Sequence, residues 1–199
     1  KIGNLHIKMS QYKQALDVFK QSKKIKHMTN DKLGIAFTQL GEAKVNYWLG
    51  NYSEAIALLN KCISIAKKFN DQSLIADSNY FLSQIDLSKN NYKNAMNYIN
   101  QAIKYVDKNS TLKNRLARYY DCKGLIYRFM GDLNDAIMMH EKALDISKTI
   151  NDVGKILKND PYAQIKLSNY KNPGFLYIKE GPEWLKQDQS NFKYKVESL

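Results

Sequence analysis

Three histidines, two cysteines and three arginines are the side chains of this 199-residue chain best equipped for chemistry near neutral pH. His6, His27 and His140 are scattered, and no His or Cys pair stands at metal-ligand spacing. The sequence has no glycine-rich phosphate loop, nucleophile elbow or zinc-binding helix motif. Enzyme activity is therefore not expected, and nothing asks for a cofactor or a metal. Cys62 and Cys122 are too few for a disulfide framework, so free core thiols are expected. They suit a reducing compartment, and a cytoplasmic location is the expectation. Met138, Met139 and His140 adjoin in one helical stretch, where core packing is the expected role.

The arginines are more informative. Of 31 basic side chains only Arg115, Arg118 and Arg128 are arginine, and all three fall in one helical stretch. A guanidinium offers a planar fork of donors to carboxylate or phosphate, which an ammonium cannot. Several readings stay open: recognition of an acidic group on a partner, an ordinary solvated face, or an ion pair with Asp121.

What must position these groups is a repeat. Gly50-Asn51-Tyr52-Ser53-Glu54-Ala55, Asn90-Asn91-Tyr92-Lys93-Asn94-Ala95 and Gly131-Asp132-Leu133-Asn134-Asp135-Ala136 are copies of one pattern, with a frayed earlier copy at Ser10-Gln11-Tyr12-Lys13-Gln14-Ala15. Their alanines, Ala15, Ala55, Ala95 and Ala136, recur at a near-constant interval. A fixed period within the range of roughly 20–50 residues marks a solenoid, in which each unit touches only its neighbours. Within a unit, Leu33, Ala36, Phe37, Leu40, Ala43 and Tyr47 recur at helical steps, as do Tyr52, Ala55, Ile56, Leu59, Cys62, Ile63 and Ala66. Ala55 is small because two helices are expected to cross closely there.

The joins repeat as well. Asn30-Asp31, Asn70-Asp71 and Asn151-Asp152 pair a residue that tolerates left-handed dihedrals with one that caps the next helix, and Asn109-Ser110 plays the same part. The spacing predicts helices near 1–9, 12–27, 31–49, 52–69, 71–89, 92–107, 111–130 and 133–150. A fifth unit starts at Asp152 and degrades. Asp160-Pro161 restarts a short helix to about Ser168, while Pro173 falls where the small residue of the second helix belongs. Pro182–Leu185 could open one more helical turn, and Phe192–Val196 alternates like a short strand. The array is expected over 1–168, with an irregular cap or linker over 169–199. The opening helix is short, so the chain reads as a piece of a longer protein.

These residues resemble tetratricopeptide repeats. Gly124, Tyr127, Gly131, Ala136 and Ala143 match that pattern well, as do Gly3, Tyr12, Ala15, Phe19 and Ser22. Ala43, Gly50, Tyr52, Ala55 and Cys62 match in part, and Ser83, Asn90, Tyr92, Ala95 and Ala102 more weakly. The resemblance implies an all-α, right-handed superhelix of tandem helix-turn-helix repeats. Units longer than the family's common form, with Asn-Asp joins, are similar to those of bacterial sensor kinases and repeat-containing transcription regulators, including peptide-pheromone receptors. What that implies is a sensing or docking array in signal transduction, although no kinase or DNA-binding segment is visible.

The resemblance also implies a concave groove lined by the first helix of each unit. Projected onto this chain, its residues are Phe37, Lys44, Tyr47 and Trp48, then Asp77, Tyr80, Gln84 and Leu87, then Arg118, Asp121, Leu125 and Arg128. Trp48 and Tyr47 offer rigid aromatic area, with packing between units as the alternative for Trp48. The family's carboxylate clamp for chaperone tails is disfavoured: Asn4 fits, but Gly41 stands where Asn is required and Leu40 where Lys is expected.

The net charge of +12 would draw acidic partners over a range of about 8–10 Å at ordinary salt. The chain is rich in both Lys and Asn, which points to a compositional bias and weakens a nucleic-acid reading. A protein or peptide partner with acidic character is expected. A regulator fragment contacting nucleic acid, or a self-associating structural array, are the alternatives. No apolar run approaches the ~18 residues of a membrane helix.

Overall fold

The computed structural model describes residues 2–107 and 113–149, and the regular structure among them is entirely helical. The elements are α1 (Ile2–Lys8), α2 (Tyr12–Met28), α3 (Lys32–Trp48), α4 (Tyr52–Lys68), α5 (Gln72–Ser88), α6 (Tyr92–Asp107), α7 (Lys113–Met130) and α8 (Leu133–Thr149). Each of the eight helices expected between residues 1 and 150 is present, with its described ends within two residues of the expected ones. The expected fifth unit, the boundary at 168, the segment 169–199 and the joins at Asn109-Ser110 and Asn151-Asp152 lie outside the described residues.

One local device ends the helices. Ser10, Asn30, Gly50, Asn70, Asn90 and Gly131 all have positive φ, between 51 and 89°. At each, two backbone bonds close a Schellman motif: after α2, Asn30 N donates to His27 O at 3.2 Å and Asp31 N to Lys26 O at 2.9 Å. The carboxylates then start the next helix. Asp31 accepts from Gly34 N at 2.7 Å and Asp71 from Leu74 N at 2.9 Å, which satisfies N–H groups that no helical carbonyl can reach.

Sequential helices pack side by side, and the odd-numbered ones also meet directly: α1 with α3, α3 with α5, α5 with α7. The odd helices are therefore the inner layer of an all-α superhelix of tandem repeats. Ala15, Ala55, Ala95 and Ala136, the repeated alanines, are all buried at the helix crossings. Phe19 shows how tightly units fit: a Cβ added at Gly3 or Gly41 would come within 2.6 or 2.4 Å of its ring. Leu59, Cys62 and Leu74 belong to one core cluster and Ile99, Cys122 and Ile126 to the next, with Tyr80 and Tyr105 packed against both. The apolar seam thus runs on from repeat to repeat.

Some expected stripe residues sit differently. Phe37 is 47% exposed, whereas Ile35 and Val45, outside the expected set, are buried. Inner helices are covered on both flanks by neighbours, so their buried arc is wider than one amphipathic stripe. Met139 is core, His140 packs on Gly124 with its ring against Asp121, and Met138 is exposed, so core packing describes the last two residues of that triplet but not the first.

Left-handed dihedrals make Asn70 a sensitive position. Asn70→Val should lower the unfolding free energy by about 1–2 kcal/mol, because a β-branched side chain clashes in that region. Asn70→Gly should be neutral or mildly stabilising. Urea denaturation of the two variants beside the parent chain checks both.

Candidate functional site

Asp77 stands at the centre of the inner face. It lies in the second turn of α5, where helical spacing turns it inward between α3 and α7. Its side chain is 10% exposed. Tyr119 donates its hydroxyl to Oδ1 at 2.6 Å, Arg118 Nη2 donates to the same oxygen at 3.0 Å, and Arg115 Nε donates to Oδ2 at 3.2 Å. All three donors come from the following repeat. Burial alone would raise the Asp77 carboxyl, but Arg118, Lys44 and Arg115 together with the Tyr119 hydroxyl outweigh it and hold it below the usual carboxylate range.

Aromatic rings form a rail beside this carboxylate. Trp48 meets Tyr47 edge-on at 4.9 Å, Tyr47 meets Phe81 at 5.8 Å, Phe81 meets Tyr80 at 5.1 Å, and Tyr80 stacks on Tyr119 at 5.3 Å. Five rings from three repeats are in sequence, each pair at a spacing that favours edge or offset contact. Cations lie over the rail: Lys44 Nζ is 5.4 Å from the Phe81 centroid, and the Arg118 guanidinium is 4.7 Å from that of Tyr80. The Tyr47 hydroxyl donates to Gln84 Oε1 at 3.3 Å, tying α3 to α5.

The structure therefore gathers Lys44, Tyr47, Trp48, Asp77, Tyr80, Gln84 and Arg118 into one linked group. Trp48 is 55% exposed, so its ring contact with Tyr47 leaves much of the indole open. Asp121 and Arg128 are placed elsewhere. Asp121 Oδ1 lies 2.9 Å from His140 Nδ1 on α8, and the Arg128 guanidinium lies 4.3 Å over the Phe129 ring. The carboxylate that Arg118 engages is thus Asp77 of the preceding repeat, where the sequence had offered Asp121 of its own helix.

Three contributors were missed by sequence reading. Phe81 and Tyr119 are buried partners of residues that were projected inward, and Arg115 was seen as part of the arginine cluster but not placed in the groove. A further inter-repeat pair, Lys23 with the nearly buried Glu42 at 2.7 Å, carried no sequence signal beyond opposite charge. The two thiols are poor nucleophiles: burial, the main cause, pushes Cys62 up to about 11 and Cys122 up to about 12. Among the described residues no group of His, Cys, Asp and Glu could hold a metal ion. No helix among them is long and apolar enough to cross a membrane.

Comparison with known proteins adds two findings. The family described as "SusR N-terminal TPR domain" matches residues 46–173, from inside α3 onward. The crystal structure of BtubC (BKLC) from P. vanneervenii is similar with a TM-score of 0.62 at 14% identity. That match covers 75% of this chain and 62% of BtubC, so the chain spans less than two thirds of that protein, and the likeness is one of fold. No curated protein matches the sequence.

Asp77→Asn should cost about 2 kcal/mol, less than the roughly 3–5 kcal/mol of a fully buried pair because Arg118 is half exposed and its charge reaches water. The pH dependence follows from the depressed carboxyl. Its stabilisation is present above the unfolded value of about 3.9 and is lost as pH falls through the lower folded value. Urea midpoints from neutral pH down to about pH 3 should therefore show the gap between parent and variant closing in acid.

Proposed function

The chain belongs to the tetratricopeptide-repeat family described as the SusR N-terminal TPR domain, a class of protein-interaction scaffold, and from this we propose a function. The inner face of α3, α5 and α7 holds a peptide or protein segment by docking without chemistry, as the sensing or docking part of a larger signalling protein, in a cytoplasmic setting. The observation that carries this reading is the aromatic rail, which ends in an open Trp48 and is overlain by Lys44 and Arg118. Rigid rings provide contact area at little entropic cost, and Trp and Arg dominate the energetics of protein interfaces. The excess of positive charge adds acidic character to the expected partner. Exposed Phe37, two turns before Lys44 on α3, extends the same face.

An affinity purification with the full chain, followed by titration of the recovered partner, tests this. Trp48→Ala with Phe37→Ala should weaken that partner roughly tenfold or more. Lys61→Ala, on the exposed side of outer helix α4, should leave it unchanged. Equal loss from both faces would remove the groove reading.

A further inference from the structure

Among the described residues the charges around Asp77 do not balance. One carboxylate faces three cations: Arg115 and Arg118 bonded to it, and Lys44, which senses Asp77 and both arginines without an ion-pair partner among the described residues. Each arginine gives Asp77 a single nitrogen, and Arg118 meets no second carboxylate among the described residues while its side chain is 45% exposed. Lys44 lies over an aromatic face rather than against an oxygen. A structural ion pair needs one cation for one anion. Here two further positive charges converge, from α3 and α7, on the partly buried floor of the inner face.

We propose that Lys44, Arg115 and Arg118 form a subsite for one side-chain carboxylate of an acidic peptide, with Asp77 beneath them as the fixed counter-ion that orients the guanidinium groups. This rests on the groove reading above and names the chemistry its centre selects. Exposed Phe37 lies two turns before Lys44 on α3 and open Trp48 one turn after it, so a chain lying along that helix would present an internal side chain at the cluster rather than its terminus. Nucleic acid fits this subsite less well, because its phosphates need a row of cations and the local excess around Asp77 is gathered at one point. The protonation of Lys44 points the same way. Burial lowers its affinity for the proton, Asp77 opposes that, and Arg118 and Arg115 lower it further; a bound carboxylate would offset these causes. Because the three cations belong to the second and fourth repeats and Asp77 to the third, one bound carboxylate also joins three repeats.

Two short peptides, both N-acetylated and C-amidated, one alternating leucine with glutamate and the other leucine with glutamine, are titrated into the full chain by calorimetry at two salt concentrations. The glutamate peptide should bind more tightly, with the difference shrinking at high salt. Lys44→Gln should weaken the glutamate peptide roughly tenfold and the glutamine peptide less, so that the preference for glutamate shrinks. Lys44 makes no ion pair among the described residues, so this variant orphans no carboxylate there and should fold. Asp77→Asn, if folded, should bind the glutamate peptide several-fold more tightly, because the internal competitor for the cations is gone. Equal binding of the two peptides, both dependent on Trp48, would leave the groove standing and overturn the subsite. Dependence on Lys44 without dependence on Trp48 would keep the subsite and remove the longer groove. A mixed-sequence oligonucleotide that binds more tightly than the glutamate peptide, and needs Lys44, would overturn the peptide assignment.

Discussion

Helix length is the constraint on which the rest of this molecule depends. Ser10, Asn30, Gly50, Asn70 and Asn90 all take left-handed dihedrals, so the chain reverses at even intervals. Between reversals α2, α3, α4 and α5 each contain 17 residues, or about 25 Å of helix. Equal rods stacked in order leave equivalent positions at the same height in successive repeats. That is why Tyr80 stacks on Tyr119, and why Asp77 and Arg118 meet, although a whole repeat of chain separates the members of each pair. A single longer or shorter helix would put the rail out of register.

The inner face answers a second constraint, the cost of burying charge. A carboxylate as enclosed as Asp77 is unfavourable unless donors occupy both oxygens. Arg115, Arg118 and Tyr119, which supply those bonds, come from α7, so the ion pair forms only when the third and fourth repeats dock at the correct offset. Apolar packing between helices tolerates small slips, whereas a carboxylate with donors on both oxygens does not. Lys23 with Glu42 does the same between α2 and α3. Hydrophobic burial therefore supplies most of the cohesion, and the ionic contacts fix the register of the inner surface.

Much of this was legible beforehand. Local chemistry dictated the helix ends: Asn30, Asn70 and Gly50 stop a helix because of their own dihedral freedom, and Asp31 and Asp71 start one because their carboxylates reach back to the adjacent turn. Periodic alanines marked the crossings because only a small side chain fits there. Many of the projected inner residues do share one face for the same reason, since helix phase fixes which positions point the same way. Phe37, expected both in the buried stripe and on the groove, is exposed, and Phe81 and Tyr119 went unnoticed, because apolar character alone does not tell which neighbour covers a side chain.

The sequence by itself determined the number, length and phase of the described helices, because turns, caps and amphipathic spacing act over short stretches of chain. It also marked three arginines in one helix as unusual. Only the tertiary structure decided their partner: Asp77, one repeat back, rather than Asp121, less than one helical turn beyond Arg118. That choice depends on the distance between stacked helices and on which oxygen atoms burial leaves in need of a donor, quantities that exist only once the repeats have docked.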